Sequence, residues 1–420
     1  MKKSHLAETL LSFFLFLSVG VFGQSVRHLP DTERLITMVE HNSELKQLLT
    51  ESIAKAKATN PDRVTNPAQT LDEYYAFIDR AATALPWTIL PSGPDTTLYN
   101  QIDQSLDYFY FVNDQPLDAL RHKGYYHNSL QYHEPYRTWL IEFTKKWGFF
   151  LSQEGSWCDA YYRSALADPS FGLQKGWYED PSHWKTFNEF FARYLKSPDQ
   201  RPIASPGDAS VVAAPADSKP EGVWAIDEHS NLVGVTIKSN TFKSIAVLIG
   251  EGSAYKDAFA SGTLTHTFLD VNDYHRYHTP IAGTVKEVRL IPADDAVGGI
   301  ISWDPKAGKY LLDASNPGWQ NIETRGCVIL ETPEYGLVAL LPIGMSQVSS
   351  VNFEETINPG TTLKKGDMLG CFLFGGSDFV MIFQKGVKFT LTVPPTGNGA
   401  YSHVLMGEKY GELSKASSAK

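Results

Sequence analysis

Cysteine is scarce in this chain of 420 residues, and basic residues do not outnumber acidic ones. Its three cysteines are Cys158, Cys327 and Cys371, too few for a disulfide scaffold, and we expect free, mostly buried thiols. Acidic residues outnumber basic ones, 47 to 37, which gives a formal net charge of −10. Without a basic excess, nucleic-acid binding has no electrostatic support, so we expect no nucleic-acid partner.

Long apolar runs are also missing, except near the N-terminus. Two lysines precede an apolar run at 10–22, and a small residue, Gly23, follows it. The run is short for a membrane span of ~20 residues. We therefore predict a cleaved signal peptide over 1–23 and an exported protein, periplasmic or secreted, with at most peripheral contact to a membrane.

The first half of the chain has the pattern of a helical domain. Apolar residues recur with a period near 3.6 from Leu35 to Ile53, behind Asp31 as a cap. Thr70 with Glu73 predicts a capping box at the start of the next helix. The sequence predicts a helical N-terminal domain over 24–165.

The composition changes near 165–185. Thr186 and Glu189 form a second capping box before a short helix, and from about residue 200 short alternating runs of Val, Thr and Ile are broken by Gly and Pro. That pattern is typical of antiparallel strands. We predict an α+β protein, in which the helical domain is followed by a mainly antiparallel β domain with short flanking helices over 166–420.

The segment 369–383 is the most informative part of the chain. Gly375 and Gly376 precede Ser377 between two strand-like runs. Glycines tolerate unusual backbone angles and leave a carbonyl uncrowded, so the Ser377 hydroxyl can approach the carbonyl of Gly376, as an N-to-O acyl shift requires. A hairpin turn or a bulge is the ordinary interpretation of such a motif.

Two further segments hold polar side chains suited to catalysis. His275 and His278 lie three residues apart, and histidine suits a general base because its usual pKa is near neutral pH. Without a nearby carboxylate or cysteine partner the pair is a weak zinc signal, and no metal is predicted. Asp217 follows a strand-like run; it is either a local turn cap or a group that orients a histidine.

These segments, in this order, resemble the phosphatidylserine decarboxylase family. The resemblance rests on APADS at 214–218, DYHRYHTPIAG from Asp273, PIGMSQVSSV from Pro342, KKGDMLG from Lys364 and FGGSD around Ser377. It covers about 184–390. Several motifs in the correct order are far more specific than any one of them.

The resemblance implies a pyruvoyl-dependent decarboxylase made as a zymogen. Ser377 would attack Gly376, with His278 as the base and Asp217 orienting His278, and autocatalytic cleavage would give fragments 166–376 (with the domain before it) and 377–420. Ser377 would become a covalent pyruvoyl group, the cofactor, which forms a Schiff base with the substrate amine. His275 is implied in the decarboxylation step, and a homodimer is expected.

One departure from the family pattern is Asp378, where the family has threonine. A carboxylate there would slow cleavage if it lay beside the nascent oxyanion, or it would face away on the strand. An inactive homologue is therefore one alternative. A second is a lipoyl- or biotinyl-like binding module, since 279–288 and 358–370 are similar to such carrier domains.

The substrate is left open between two classes. Phosphatidylserine, with a role in phospholipid biosynthesis, is the family's usual substrate. The helical domain is similar to the extension of a subgroup that includes fungal L-tryptophan decarboxylase, which implies a free aromatic amino acid instead. An aromatic cluster, Trp139, Trp147, Phe149, Phe150, Trp157, Tyr161 and Tyr162, either packs between the domains or covers a substrate mouth. We interpret His127, His133 and Glu134 as surface polar residues.

Overall fold

The computed structural model describes residues 27–91, 97–235, 240–346, 350–397 and 399–415. The predicted signal peptide lies outside the described residues. Within these ranges, none of the helices has the length and apolar character needed to cross a membrane.

Helices occupy most of the chain before residue 170. The α-helices are α1 Pro30–His41, α2 Ser43–Thr59, α3 Leu71–Ala81, α4 Leu98–Phe111, α5 Tyr136–Leu151, α6 Asp159–Ala167, α7 Phe187–Phe191 and α8 Ile245–Ile249. The predicted first helix is in fact two, because Asn42 interrupts it and its side chain accepts a hydrogen bond from the Leu45 amide. Asp31 does not cap α1 but lies in its first turn.

The two predicted capping boxes differ in the structure. At α7, Thr186 and Glu189 form the complete reciprocal box. At α3, the Thr70 side chain accepts from the Glu73 amide, but the Glu73 carboxylate accepts from the amide of Gln69 instead. Both helices still begin where the cap residue satisfies a free amide.

Strands dominate from Val211 onward. They are β1 Val211–Ala213, β2 Lys219–Ala225, β3 Thr263–Leu269, β4 Arg276–His278, β5 Gly283–Ile291, β6 Ile300–Asp304, β7 Lys309–Asp313, β8 Arg325–Thr332, β9 Gly336–Met345, β10 Val351–Phe353, β11 Thr362–Leu363, β12 Met368–Phe372, β13 Gly376–Phe383, β14 Val387–Leu391 and β15 Lys409–Lys415. The strand pairs are antiparallel. The predicted α+β class is confirmed.

The main sheet places β13 among its inner strands. Its seven strands run in the order β11-β5-β8-β9-β13-β3-β2. Ser377 is in register with Gly344 of β9 and with Leu269 of β3, and every residue of β13 is buried. The segment around Ser377 is thus not an exposed hairpin turn but the start of an interior strand.

The helical region and the strand region share one core. The largest hydrophobic cluster joins side chains of α1 to α7 with Tyr274, Tyr310 and Phe374 of the strand region. Trp147 of α5 packs edge-on against Phe374, with ring centroids 6.1 Å apart. Gln104 of α4 also makes two hydrogen bonds with the backbone of Tyr310.

Two expectations about side-chain burial are settled by this packing. All three thiols are free, but the expectation that most are buried is wrong: only Cys327 is buried, and Cys158 is exposed. In the aromatic cluster, Trp139, Trp147 and Trp157 are buried as packing predicts, whereas Phe149 is 70% exposed.

Candidate active site

Ser377 is the most unusual polar residue of the main sheet. Its side chain is fully buried, and its hydroxyl oxygen has no hydrogen-bond partner among the described residues. A buried hydroxyl left unpaired costs about 1–3 kcal/mol, and such atoms are rare in folded proteins. An uncompensated hydroxyl on an interior strand is therefore a candidate reactive group.

The two residues before Ser377 have to be glycine. Gly375 has a φ of 147°, in the region that side chains rarely adopt. A Cβ on Gly376 would lie 2.8 Å from Cγ of Met345, closer than packed carbons approach. The backbone at Gly376 therefore lies so close to Met345 that it leaves little room for a side chain. The carbonyl of Gly376 consequently has no Cβ beside it.

His275 supplies a second buried polar atom without a partner. Its Nδ1 donates to the carbonyl of Asp273 at 3.0 Å, which leaves Nε2 as an acceptor, and Nε2 has no partner in the described part of the chain. Burial, together with repulsion from Arg193, lowers the pKa of His275 well below its usual value. The ring is therefore neutral near pH 7, with one nitrogen free to accept a proton.

An aromatic bridge connects His275 to the segment before Ser377. The imidazole stacks on Phe191 of α7 with ring centroids 3.7 Å apart, and Phe191 packs edge-on against Phe374. The amide of Phe374 donates to the side chain of Asn188, also on α7, at 2.9 Å. The short helix thus positions both His275 and the chain that leads into Gly375.

His278 lies at the end of β4 and is also held in its neutral form. Nδ1 donates to the carbonyl of Gly366 at 2.8 Å, and Nε2 accepts from the hydroxyl of Tyr274 at 3.2 Å. Burial lowers the pKa of His278 to about 4. A neutral imidazole of fixed tautomer has the properties of a general base.

Asp217 is not hydrogen-bonded to His278 in the structure. Its two oxygens accept from Nε and Nη2 of Arg201, at 3.0 and 2.6 Å, and one also accepts from the amide of Met406. Arg201 is itself buried, over the ring of Trp177. The predicted orienting contact is therefore replaced by a buried ion pair, and Asp217 acts on His278 only through space, where its charge opposes the effect of burial.

Asp378 faces away from the hydroxyl of Ser377. Successive side chains on a strand point to opposite faces, and the Asp378 carboxylate accepts from Nδ1 of His266 at 3.1 Å and from the side-chain Nε2 of Gln320 at 3.0 Å. Of the two predicted placements of this carboxylate, the structure shows the one that faces away on the strand.

His266 is the hydrogen-bond partner of Asp378. Its second nitrogen, Nε2, lies 3.2 Å from the carbonyl of Ser315, and because a carbonyl and a carboxylate both accept, the geometry favours a doubly protonated ring. Burial alone would lower the pKa of His266, but the charge and hydrogen bond of Asp378 raise it above its usual value. This pair was not predicted, because 112 residues separate its members.

Two further side chains that the sequence did not single out support the site. Asn188 lies on α7, and Arg193, just after that helix, donates to the carbonyls of Asn272 and Asp273 at 2.8 and 3.0 Å, which fixes the loop before His275. His127 and His133, interpreted as surface polar residues, are partly buried: His127 pairs with Asp114, and His133 with the hydroxyl of Tyr125.

Comparison with known proteins gives this arrangement a family. The model of the family described as phosphatidylserine decarboxylase matches residues 187–412, which is more than half of the chain. The chain belongs to the phosphatidylserine decarboxylase family, as the ordered motifs predicted.

Its relatives include proteins named as phosphatidylserine decarboxylase proenzymes and one named as a decarboxylase. Phosphatidylserine decarboxylase proenzyme 2 of Oryza sativa is 36% identical over 49% of this chain and 31% of its own length. The phosphatidylserine decarboxylase proenzyme of Vibrio cholerae is 27% identical over 60% of this chain and 90% of its own. Decarboxylase iboD of Amanita muscaria is 26% identical over 59% and 76%. The chain thus spans less than a third of the rice protein.

Proposed function

We propose that this chain is a proenzyme that cuts itself between Gly376 and Ser377, carries a pyruvoyl group at residue 377, and decarboxylates phosphatidylserine to phosphatidylethanolamine. The observation that supports this most directly is the buried, unpartnered Ser377 hydroxyl after two obligatory glycines. The proenzyme names of relatives agree with it.

The proposed cleavage begins with the Ser377 hydroxyl. Its oxygen attacks the Gly376 carbonyl while a neutral histidine, His278 in our assignment, takes the hydroxyl proton. The peptide nitrogen leaves carbon and takes up a proton, so an ester replaces the amide. Elimination then releases the Gly376 carboxylate and leaves dehydroalanine at 377; water adds, ammonia departs, and a pyruvoyl group remains.

In the mature protein, the surrounding residues would bind and orient the substrate. A pyruvoyl group supplies an electron-withdrawing carbonyl when carbon dioxide is lost. The residues fit such a group, because the start of β13 is enclosed and the neutral Nε2 of His275 is free to hold or deliver a proton. We assign that proton-handling role to His275.

An apolar surface beside the cleavage segment favours a lipid substrate. Phe149 is 70% exposed and Leu290 53% exposed, and both line a cavity of about 480 Å³ together with Leu373, the residue before Phe374. Exposed apolar side chains that cluster mark contact with apolar ligands or membranes. Peripheral membrane contact is part of this proposal.

A free aromatic amino acid such as L-tryptophan is the second candidate substrate. The relative from Amanita muscaria is named only as a decarboxylase, and it matches 59% of this chain. Export and a homodimer remain predictions from the sequence and the family resemblance.

The intact mass of the purified protein, beside its Ser377→Ala variant, tests self-cleavage. We expect two fragments that meet between Gly376 and Ser377, the smaller one lighter by one ammonia than a fragment that begins with serine, and one uncut chain for Ser377→Ala. An uncut chain in both samples would reject the proposal.

The substrate is tested by release of carbon dioxide from phosphatidylserine vesicles and, separately, from L-tryptophan. For a lipid substrate, Phe149→Ser should raise the KM for vesicles several-fold. The matched control is Val64→Ser, because Val64 is also exposed but does not line the cavity that Phe149 lines, and it should leave the KM unchanged. Release from L-tryptophan alone would replace the lipid by the amino acid.

A further inference from the structure

A cavity of about 260 Å³ lies between helix α4 and the strand region. One wall is α4, which contributes Tyr99, Asp103 and Asp107. Residues four apart share one face of a helix, so three side chains of α4 face the same space. The opposite wall includes Glu221 of β2 and Asp270, which follows β3.

The charges that line this cavity do not balance. Five carboxyl groups face one basic side chain, and they are Asp103, Asp107, Glu221, Asp270 and Asp313 against Lys219. Lys219 lies 3.4 Å from Glu221, and Asp313 accepts from the amide and hydroxyl of Ser315. Asp103 accepts a hydrogen bond from the side chain of Gln104 at 3.0 Å, and the charge of Lys309 acts on it through space. No basic side chain of the cavity lining is left to pair with Asp107.

Asp107 has no polar partner among the residues that the structure describes. It is only 5% exposed, and no hydrogen bond or ion pair joins its carboxyl group to any of the described residues. Burial and the neighbouring Asp103 raise the pKa of Asp107 well above its usual value, and burial raises the pKa of Asp103 to about 6. A buried carboxyl group without a partner is unfavourable, and a bound cation would remove that penalty.

The walls indicate the kind of cation. Tyr99, Phe268 and Tyr310 line the same cavity, and aromatic faces attract organic cations. Among the residues that the structure describes, no group of three or more acidic, histidine or cysteine side chains is arranged to hold a metal ion. The volume is suited to a molecule of a few carbon atoms.

We propose that this cavity binds a protonated primary amine on a short carbon chain, with Asp107 as its principal anchor. The cavity is lined by Phe268 of β3, the strand beside β13, and Phe268 is in register with Asp378. Because side chains alternate along a strand, this is the face of the sheet opposite Ser377. The helical region thereby contributes a ligand-binding wall that the family-matched region does not contain. This inference does not depend on self-cleavage.

Calorimetric titration with n-propylamine near neutral pH, where the amine is protonated, tests the site in the full chain with Ser377→Ala. That background has no pyruvoyl carbonyl to capture the amine. We expect saturable binding that weakens at least tenfold when Asp107→Asn is added. Asp72→Asn, on the exposed face of α3, is the matched control and should leave the affinity unchanged.

Three results would overturn the proposal. They are absence of saturable binding in the Ser377→Ala chain, equal affinity after Asp107→Asn, and equal binding of uncharged 1-propanol. If Asp107→Asn fails to fold, Asp103→Asn takes its place, with a smaller expected loss of about threefold. Since the test measures binding to an uncleavable chain, its failure would leave the proposed decarboxylase function untouched.

Discussion

The helical and strand regions differ in how they are held together. In the strand region, hydrogen bonds between strands that are distant in sequence fix the register. One example is β13, which pairs along its whole length with β9. In the helical region, stacked aromatic rings fill the interior, for example Trp157 on Phe190 at 4.0 Å. The family model begins only at residue 187, so most of the helical region lies outside it.

Residues that precede the family match thus also pack against the candidate site. Strand pairing places Ser377 beside Gly344 and Leu269, whereas Phe374 packs against Trp147, which precedes the matched residues. The chain that leads into Gly375 is therefore held by both regions.

The largest expected effect comes from breaking that shared packing. Phe374→Ala removes a fully buried ring at the boundary between the two regions, and we expect the free energy of unfolding to fall by about 3–5 kcal/mol. Urea unfolding in the Ser377→Ala background measures it, so that every protein is a single chain. Phe149→Ala, an exposed ring, should change stability by less than about 0.5 kcal/mol. A similar small change for Phe374→Ala would mean that the regions fold separately.

A smaller effect should follow from neutralising Asp378 inside the main sheet. Asp378→Asn keeps the shape but loses the charge that pairs with His266, and we expect a loss of about 2 kcal/mol. Because the pKa of His266 is raised in the folded protein, the stabilisation is complete below the usual histidine value and is lost as pH rises through the raised one.

The difference in unfolding free energy between the uncleaved parent and Asp378→Asn should therefore shrink above about pH 6.5. A difference that stays constant from pH 5 to 9 would show that His266 is neutral. Cleavage should continue in Asp378→Asn made with Ser377 intact, since the carboxylate faces away from the hydroxyl; arrested cleavage would contradict that orientation.

The smallest effect compares two helix caps. Thr186→Ala removes the cap of α7, and Thr70→Ala that of α3; each should cost about 1 kcal/mol. Only Thr186→Ala should also slow self-cleavage, because α7 holds Phe374 through Asn188 and stacks on His275 through Phe191. The rate is followed by gel electrophoresis of newly synthesised chain. Equal slowing by both variants would show that α7 has no special positioning role.

Local patterns were enough to predict the fold class. The change from helical to alternating periodicity gave the α+β class, whereas the role assigned to Ser377 behind two glycines stays a prediction. Boundaries were less predictable: the apolar period ran through Asn42 without a break, although its side chain starts a new helix there. The spacing of apolar residues does not distinguish one helix from two consecutive helices that bury the same face.

The sequence by itself determined the family, the order of its motifs and the residue types at Gly375, Gly376 and Ser377. Tertiary structure decided the partners: Asp217 pairs with Arg201, Asp378 with His266, and Asp107 faces a cavity. The physical reason is that residue type and spacing express local backbone preferences, whereas burial, charge pairing and strand register arise only when segments far apart in the chain are packed together.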